Sequence, residues 1–392
     1  MAGNHALIFG ASGITGWAIT NQILKGYPEE GSFSKVTALT NRPLSADATL
    51  WPKSDKLQLI SGLDLMTKGG QNALNEEMKS KVKDMDTVSH VFFFAYIMDP
   101  EPTEEIRINV ELLKRAVTAC EHLSKKLQFV VLPTGTKAYG VHLIDKFPFG
   151  KDLPLKESLP KIPEPYASEM FYYNQTDFLA NAAKGKPWTW CEVIPDMIVG
   201  FVPNNNIYCL PQAIALYLSL YRYINGKGAT VEFPGTAESW AIQSNDSFQD
   251  TIAKFALHAS LNPKTCGNGE RFNTADQQSS WSEKWPIVAD FFELKGVAPP
   301  EGGSGPQPGD YVQAHLKEWE KMEKEKGLVG GRVGNNRSFG GFPYFIMTMF
   351  NFDRQQDLTK SHEAWGKGAE AVDAKKAWWT VFERFREAKI IP

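Results

Sequence analysis

HALIFGASGITG, residues 5–16, decides the fold of this chain. A short apolar run, HALIFG (5–10), enters a glycine-rich turn, and a helix pattern follows from Thr15 to Leu24. Gly10, Gly13 and Gly16 form GxxGxxG between the two. The first glycine permits the tight turn. The second lets backbone approach a pyrophosphate, and the third lets helix and strand pack closely. The helix N-terminus then faces the phosphates, which adds Ser12, Ile14 and Thr15 to the expected contacts.

Outward from this turn, KVTALTNR (35–42), KLQLISG (56–62), VSHVFFFAY (88–96), QFVVLPTG (128–135) and TWCEVIP (189–195) read as further strands. The run at 88–96 lacks alternation, as a strand buried on both faces does. Helices are expected over Glu104–Leu123 and Tyr166–Ala183. Strands alternating with helices at this spacing mean βαβ units and an α/β fold: a Rossmann-type, doubly wound parallel sheet.

The expected division is a nucleotide-binding core over 1–203 and a smaller, mostly helical substrate-binding region over 204–392. In the second part, ATVEFPG (229–235) and GERFNTA (269–275) are expected to return to the core sheet, with a helix near Gln249–Ala259 between them. A Gly- and Pro-rich insert, 296–345, reads either as a solvated surface excursion or as a lid, with one charged helix near Tyr311–Lys326. The chain closes with the apolar GFPYFIMTMFNF (341–352) and an amphipathic helix carrying Trp378, Phe382 and Phe385.

Composition narrows the partners. The 392 residues carry a net charge of −3 and no long basic run, which argues against nucleic acid. Four cysteines, Cys120, Cys191, Cys209 and Cys266, form no CxxC pair, so a reducing, cytoplasmic setting is expected and zinc or another metal is not. Met197 to Tyr221 holds no charge, but Pro203 and Pro211 interrupt it. The roughly 14 residues from Pro211 to Ile224 would span ~21 Å, short of a ~30 Å hydrocarbon core, and read as a buried helix. No membrane partner is expected. A small-molecule substrate is, with a homodimer as the assembly to test.

At the end of the second strand stand Asn41 and Arg42, with no acidic residue to hold a ribose 2′-hydroxyl. A basic residue there accepts a 2′-phosphate, so NADPH is the expected cofactor. Asp64 and Leu65 follow the third strand, where adenine contacts are expected. Ala95, Thr134, Gly135, Pro195, Met197 and Ile198 complete the set at the carboxyl ends of later strands, where ligands bind in open α/β folds.

Two further segments carry acid chemistry: TGTKAYG (134–140), with Lys137, and MFYYNQTD (170–177), with Tyr172. A phenol has an ordinary pKa near ~10, and a neighbouring ammonium favours phenolate and stabilises an oxyanion facing it. The literal YxxxK at Tyr223–Lys227 is set aside, because Asn225-Gly226 within it is a turn signal.

With the N-terminal turn, TGTKAYG and FYYNQTD resemble the progesterone 5β-reductase and iridoid synthase family of atypical extended short-chain reductases, whose members carry TGTKHY and NFYYxxED. RINVELLKRAV, FPGTAESWAIQSNDSFQDTIAKFA and the closing FERFREAKIIP fit the same pattern. The resemblance implies Lys137 and Tyr172 as the catalytic pair, with Lys137 also holding the nicotinamide ribose. It also implies hydride addition to the β-carbon of an enone or enal. Ala138 stands where the family has histidine, Met170 where it has asparagine, and Thr176 where it has an acid. Tyr96, Tyr139 and Leu143 fall at expected pocket positions, and Tyr96 and Leu143 differ there from the family's usual tryptophan and phenylalanine. These changes and the insert suggest a fungal-type natural-product enzyme. Carbonyl 1,2-reduction, a non-redox isomerase or cyclase, and a nucleotide sensor are the competing readings.

Overall fold

The first strand, β1 (Asn4–Phe9), is an interior strand of a seven-stranded sheet in the computed structural model, which describes residues 3–335, 337–370 and 372–392. It is followed by α1 (Ile14–Leu24), β2 (Phe33–Thr40), β3 (Leu57–Ser61), α2 (Gly70–Lys81), β4 (His90–Phe93), α3 (Pro102–Leu123), β5 (Phe129–Pro133), α4 (Phe171–Ala182) and β6 (Thr189–Ile194). Next come β7 (Met197–Val199), α5 (Leu210–Asn225), β8 (Thr230–Glu232), β9 (Ser244–Phe248) and β10 (Glu270–Asn273). The sheet order is β10-β6-β5-β4-β1-β2-β3, and every pairing in it is parallel. Strand order reverses between β1 and β4, and a crevice opens at their carboxyl ends.

The missing polarity alternation in these strands has a direct cause. Ile8, Phe92, Val131 and Val193 enter one apolar cluster, while Leu7, Phe9, Val91, Phe93 and Val130 enter another on the opposite face. Both faces are covered, so both residue parities are apolar. The first cluster is shared with α1, and the second is closed by Leu74 and Met78 of α2, Leu112 and Leu113 of α3, and Leu179 of α4.

Beyond β7 the expectations divide. GERFNTA supplies β10, which does join the core sheet beside β6. ATVEFPG does not: β8 pairs in parallel with β12 (Lys295–Val297) in a separate two-stranded sheet. The β6 edge is already taken by β10, so β8 finds its backbone partner elsewhere. β9 reads poorly as a strand because SNDSF is polar, yet all five of its residues are buried. Its Asp246 meets Lys284 at 2.9 Å and the Trp378 indole at 2.8 Å, which satisfies the charge inside the core. β9 also pairs with β7 and with β11 (Gln278–Ser279).

α5 is buried from Leu210 through Leu220, and no helix among the described residues is long and apolar enough to cross a membrane. The insert is not a solvated excursion. Its charged helix breaks at His315 into Pro308–Ala314 and Leu316–Lys326, which bury Val312, Trp319 and Met322. Trp378, Phe382 and Phe385 of the closing helix are fully buried as expected.

Two histidines bind this core to pH. His5 bridges Thr37 and Thr87, and His90 bridges Ser89 Oγ (2.8 Å) and the Ser260 carbonyl (3.2 Å). Burial pushes both down to about 4. The unfolded chain therefore takes up protons below pH ~6.5 that the folded chain refuses, and stability is lost as pH falls from 6.5 towards 4. For His90 the loss should reach about 2 kcal/mol by pH 5. Other buried groups titrate in the same range, so the measurement is a difference. His90→Gln is expected to be less stable at pH 7.5 but to show a shallower fall in urea midpoint between pH 7.5 and 5. Parallel slopes would refute it.

Candidate active site

The crevice between β1 and β4 widens into a cavity of about 950 Å³. Its floor is the turn after β1. Gly10 sits at φ +81°, and a Cβ there would stand 2.5 Å from the Phe94 carbonyl oxygen. A Cβ on Gly16 would stand 2.3 Å from the Gly10 oxygen, so strand and helix meet only because both residues are glycine. A Cβ on Gly13 would touch only the Gly10 oxygen, at 3.2 Å, and Gly13 lines the cavity. The backbone N–H groups at the start of α1 close this cradle. The residues present therefore fit a dinucleotide.

Most of the residues expected at the cofactor come together here. Gly10, Ser12, Gly13, Ile14, Thr15 and Gly16 line one end, with Asn41, Arg42, Asp64 and Leu65 beyond them. Ala95, Thr134, Lys137, Tyr172, Pro195 and Ile198 line the other end. Gly135 lies behind that wall, with its Cβ position 3.5 Å from the Tyr172 hydroxyl. Met197 does not reach the cavity: it is buried within β7, because side chains alternate and its neighbour Ile198 takes the open face.

Lys137 lies in a short 3₁₀ turn, Thr136–Tyr139, directly after β5. That turn is pinned by Thr136 Oγ1 donating to buried Asp196 (3.0 Å) and by the Thr136 N–H donating to the Pro195 carbonyl (3.1 Å). Tyr172 is the second residue of α4, which begins at Phe171 and not at Tyr166 as the sequence suggests. The two tyrosines of FYY divide their work. Tyr173 donates to the Ala138 carbonyl (2.7 Å) and accepts from the Ile162 N–H (3.0 Å), tying α4 to the lysine turn. None of the hydrogen bonds found among the described residues involves the Tyr172 hydroxyl, and the residue lines the cavity. Burial, then the charges of Glu105 and Glu192, hold its phenol above the usual range. Burial thus favours the neutral phenol at Tyr172, as a hydrogen-bond donor requires.

Of the three expected pocket residues, one arrives. Tyr96 lines the cavity, stacks on Phe171 at 5.8 Å and meets Tyr208 edge-on at 5.8 Å. Its hydroxyl bonds to Glu105. Tyr139 is buried, with its hydroxyl donating to Asn273 Oδ1 (2.7 Å), because the turn directs it under the β10 edge. Leu143 is carried outward by a kink in residues 141–146, where Ile144 sits at φ 15°, ψ −81°. It lines a second cavity of about 620 Å³ with Tyr344 and Met349.

Residues that the sequence did not reveal complete the wall. Phe171, Tyr208 and Phe342 continue the aromatic run, with Tyr208 and Phe342 edge to face at 5.4 Å. Phe345 adds to it from the insert's end. His142 stands between the two cavities, its buried Nδ1 unpartnered. Burial, then Lys137, pushes it down to about 4, so it is a neutral imidazole. The literal YxxxK stays away: Tyr223 bonds to Glu325 (2.8 Å) and Lys227 pairs with Glu293. No metal-holding cluster of His, Cys, Asp or Glu occurs among the described residues.

Comparison with known proteins places this geometry. Residues 6–392 match the model of the PRISE-like Rossmann-fold domain. The short chain dehydrogenase ausT of Aspergillus calidoustus is 35% identical over 99% of this chain and 94% of its own length. The short chain dehydrogenase sirQ of Leptosphaeria maculans is 30% identical over 99% and 97%. The (S)-8-oxocitronellyl enol synthase ISY2 of Nepeta cataria is 24% identical over 99% and 91%. Among solved structures, a UDP-N-acetylglucosamine 4-epimerase from Methanobrevibacter ruminantium shares the fold, with TM-score 0.63 at 15% identity over 99% of each chain. RMD from Pseudomonas aeruginosa, complexed with NADPH, gives TM-score 0.59 at 12% identity over 98% of each.

Proposed function

The chain belongs to the PRISE-like Rossmann-fold family of short-chain dehydrogenases, and from that premise we propose that it is an NADPH-dependent reductase of a conjugated enone or enal. The observation that carries this reading is the neutral Tyr172 hydroxyl facing a cavity that Lys137 shares and an aromatic run encloses. Bound along the β1–α1 turn, the reduced dinucleotide would supply hydride to the substrate β-carbon. Tyr172 hydrogen-bonds the carbonyl oxygen and stabilises the negative charge that gathers there. The Lys137 ammonium adds to that field and holds the ribose. Tyr96, Phe171 and Tyr208 offer faces and edges to a flat conjugated chain, and exclude water from it. The names of the Nepeta relatives, enol synthases, fit chemistry that leaves an enolate under Tyr172. Fungal dehydrogenases among the relatives support a natural-product substrate.

The test is a label. With NADPH deuterated on the transferred face and one accepted enone, deuterium is expected at the β-carbon of the saturated product. Donor and acceptor carbons must approach to about 3–3.5 Å, so the pocket decides which carbon receives it. Deuterium on a carbinol carbon, with the alkene retained, would establish carbonyl reduction instead. Unlabelled product without net NADPH use would establish a non-redox reaction.

A further inference from the structure

A buried ion pair joins the lysine turn to the aromatic wall. Asp196 stands between β6 and β7, and its Oδ1 accepts from Thr136 Oγ1 (3.0 Å), one residue before Lys137. The Asp196 N–H donates to Ser247 Oγ of β9 at 2.9 Å. On its other side, Arg354 Nε lies 3.5 Å from Asp196 Oδ2, and each side chain is only 2% exposed, so solvent does not screen the two charges. The Arg354 guanidinium rests over the Phe350 ring, 4.5 Å from its centroid. Phe350 packs on Phe345 at 4.7 Å, and Phe345 lines the cavity that Lys137 lines. The Arg354 N–H donates to the Gln243 carbonyl (3.0 Å), which fixes the arginine's backbone.

This pair is poorly built for stability. Asp196 Oδ2, Arg354 Nε and Arg354 Nη1 are buried with no hydrogen-bond partner among the described residues. Asp246 shows the contrast: its Oδ1 takes Lys284 at 2.9 Å and its Oδ2 takes Trp378 at 2.8 Å. Burial raises the Asp196 carboxyl, and Arg354 is the largest influence acting the other way. A buried pair with unfilled hydrogen-bonding capacity scarcely offsets the desolvation of its charges, and apolar replacements of similar volume are often as stable. What such a pair fixes is geometry, because attraction across a dry core weakens when either partner shifts.

We propose that Asp196 and Arg354 are positioning residues that set the register between the Lys137 turn and the wall at Phe345 and Phe350. The proposal rests on the reading above of Lys137 and Tyr172 as the reducing end. Asp196 holds Thr136, and with it the turn that carries the ammonium. Arg354 holds Phe350, and with it the ring of Phe345. A shift of about 1 Å between the two can cost on the order of 10²-fold in rate, so a pair that adds little to folding still governs turnover.

Full-length variants, assayed with saturating NADPH and one accepted enone well below their melting temperatures, test this. Thr136→Val removes the hydroxyl's bond to Asp196 but keeps the N–H on the Pro195 carbonyl (3.1 Å). Its kcat should fall about tenfold with KM little changed, and Thr136→Ser should restore it. Arg354→Met alone should lower the melting temperature, since it leaves a buried charge uncompensated. Adding Asp196→Asn removes that charge and keeps an acceptor for Thr136. The melting temperature should then recover, while substrate KM stays raised about tenfold. Recovery of melting temperature and KM together, or a parent-like kcat in Thr136→Val, would overturn the proposal. Full turnover in Lys137→Ala would remove the reading beneath it. Loss of turnover there, beside a parent-like Thr136→Val, would remove the positioning role alone.

Discussion

Replacing Tyr172 with phenylalanine is expected to lower turnover by roughly 10²-fold or more while NADPH binding survives, because the change removes one donor aimed at the developing oxyanion. The structure sharpens the comparison with its neighbour. Tyr173 spends its hydroxyl on Ala138 and Ile162, so Tyr173→Phe should cost about 1–3 kcal/mol of stability and little chemistry. Lys137→Ala should damage both turnover and cofactor affinity, since one ammonium faces both. Pre-steady-state hydride transfer and separate cofactor titrations distinguish these outcomes. A silent Tyr172→Phe beside a damaging Tyr173→Phe would reverse the assignment within FYY.

Gly235→Ala is the second large effect expected, and it acts from outside the chemistry. A Cβ there would lie 1.9 Å from the Met347 carbonyl oxygen and 2.5 Å from Ser239 Oγ. Ser239 itself donates to that same carbonyl at 2.7 Å. The segment Phe342–Met349, which ends in a single π-helical turn over Phe345–Met349, is therefore seated directly on the glycine of FPG. The added methyl must push it away, costing about 3 kcal/mol as overpacking at a rigid contact does. Because Phe342 and Phe345 travel with it, substrate KM should rise several-fold while NADPH affinity holds. An unchanged melting temperature and KM would show that this contact does not set the wall.

Local chemistry made much of the fold and the chemical end of the site legible. The β1 turn announces itself because three glycines are needed within seven residues to bring strand, helix and phosphate together. Lys137 and Tyr172 were legible through their motifs, although the state of the phenol was not: burial depends on neighbours that no spacing reveals. The rest failed for particular reasons. β9 hides behind polar residues whose buried partners lie far off in the chain, Lys284 and Trp378 for Asp246 and Gln356 for Asn245. Leu143 misleads because one kinked residue, Ile144, turns it to another cavity. Tyr208, Phe342 and His142 converge from loops or short turns far apart in the chain, and such segments carry no periodicity to read.

The seating of Phe342–Met349 has a consequence for how such a catalyst diversifies. Its support is the loop after β8, which belongs to the small two-stranded sheet and not to the seven-stranded sheet that presents Lys137. Reaction and outline thus reside on separately anchored pieces of one polypeptide. Substitutions at 342 or 345 can recut the mould while the reducing end keeps its register, and those at 344, 348 or 349 alter only the outer chamber. A combinatorial library confined to these positions would explore new substrates without re-evolving the hydride chemistry.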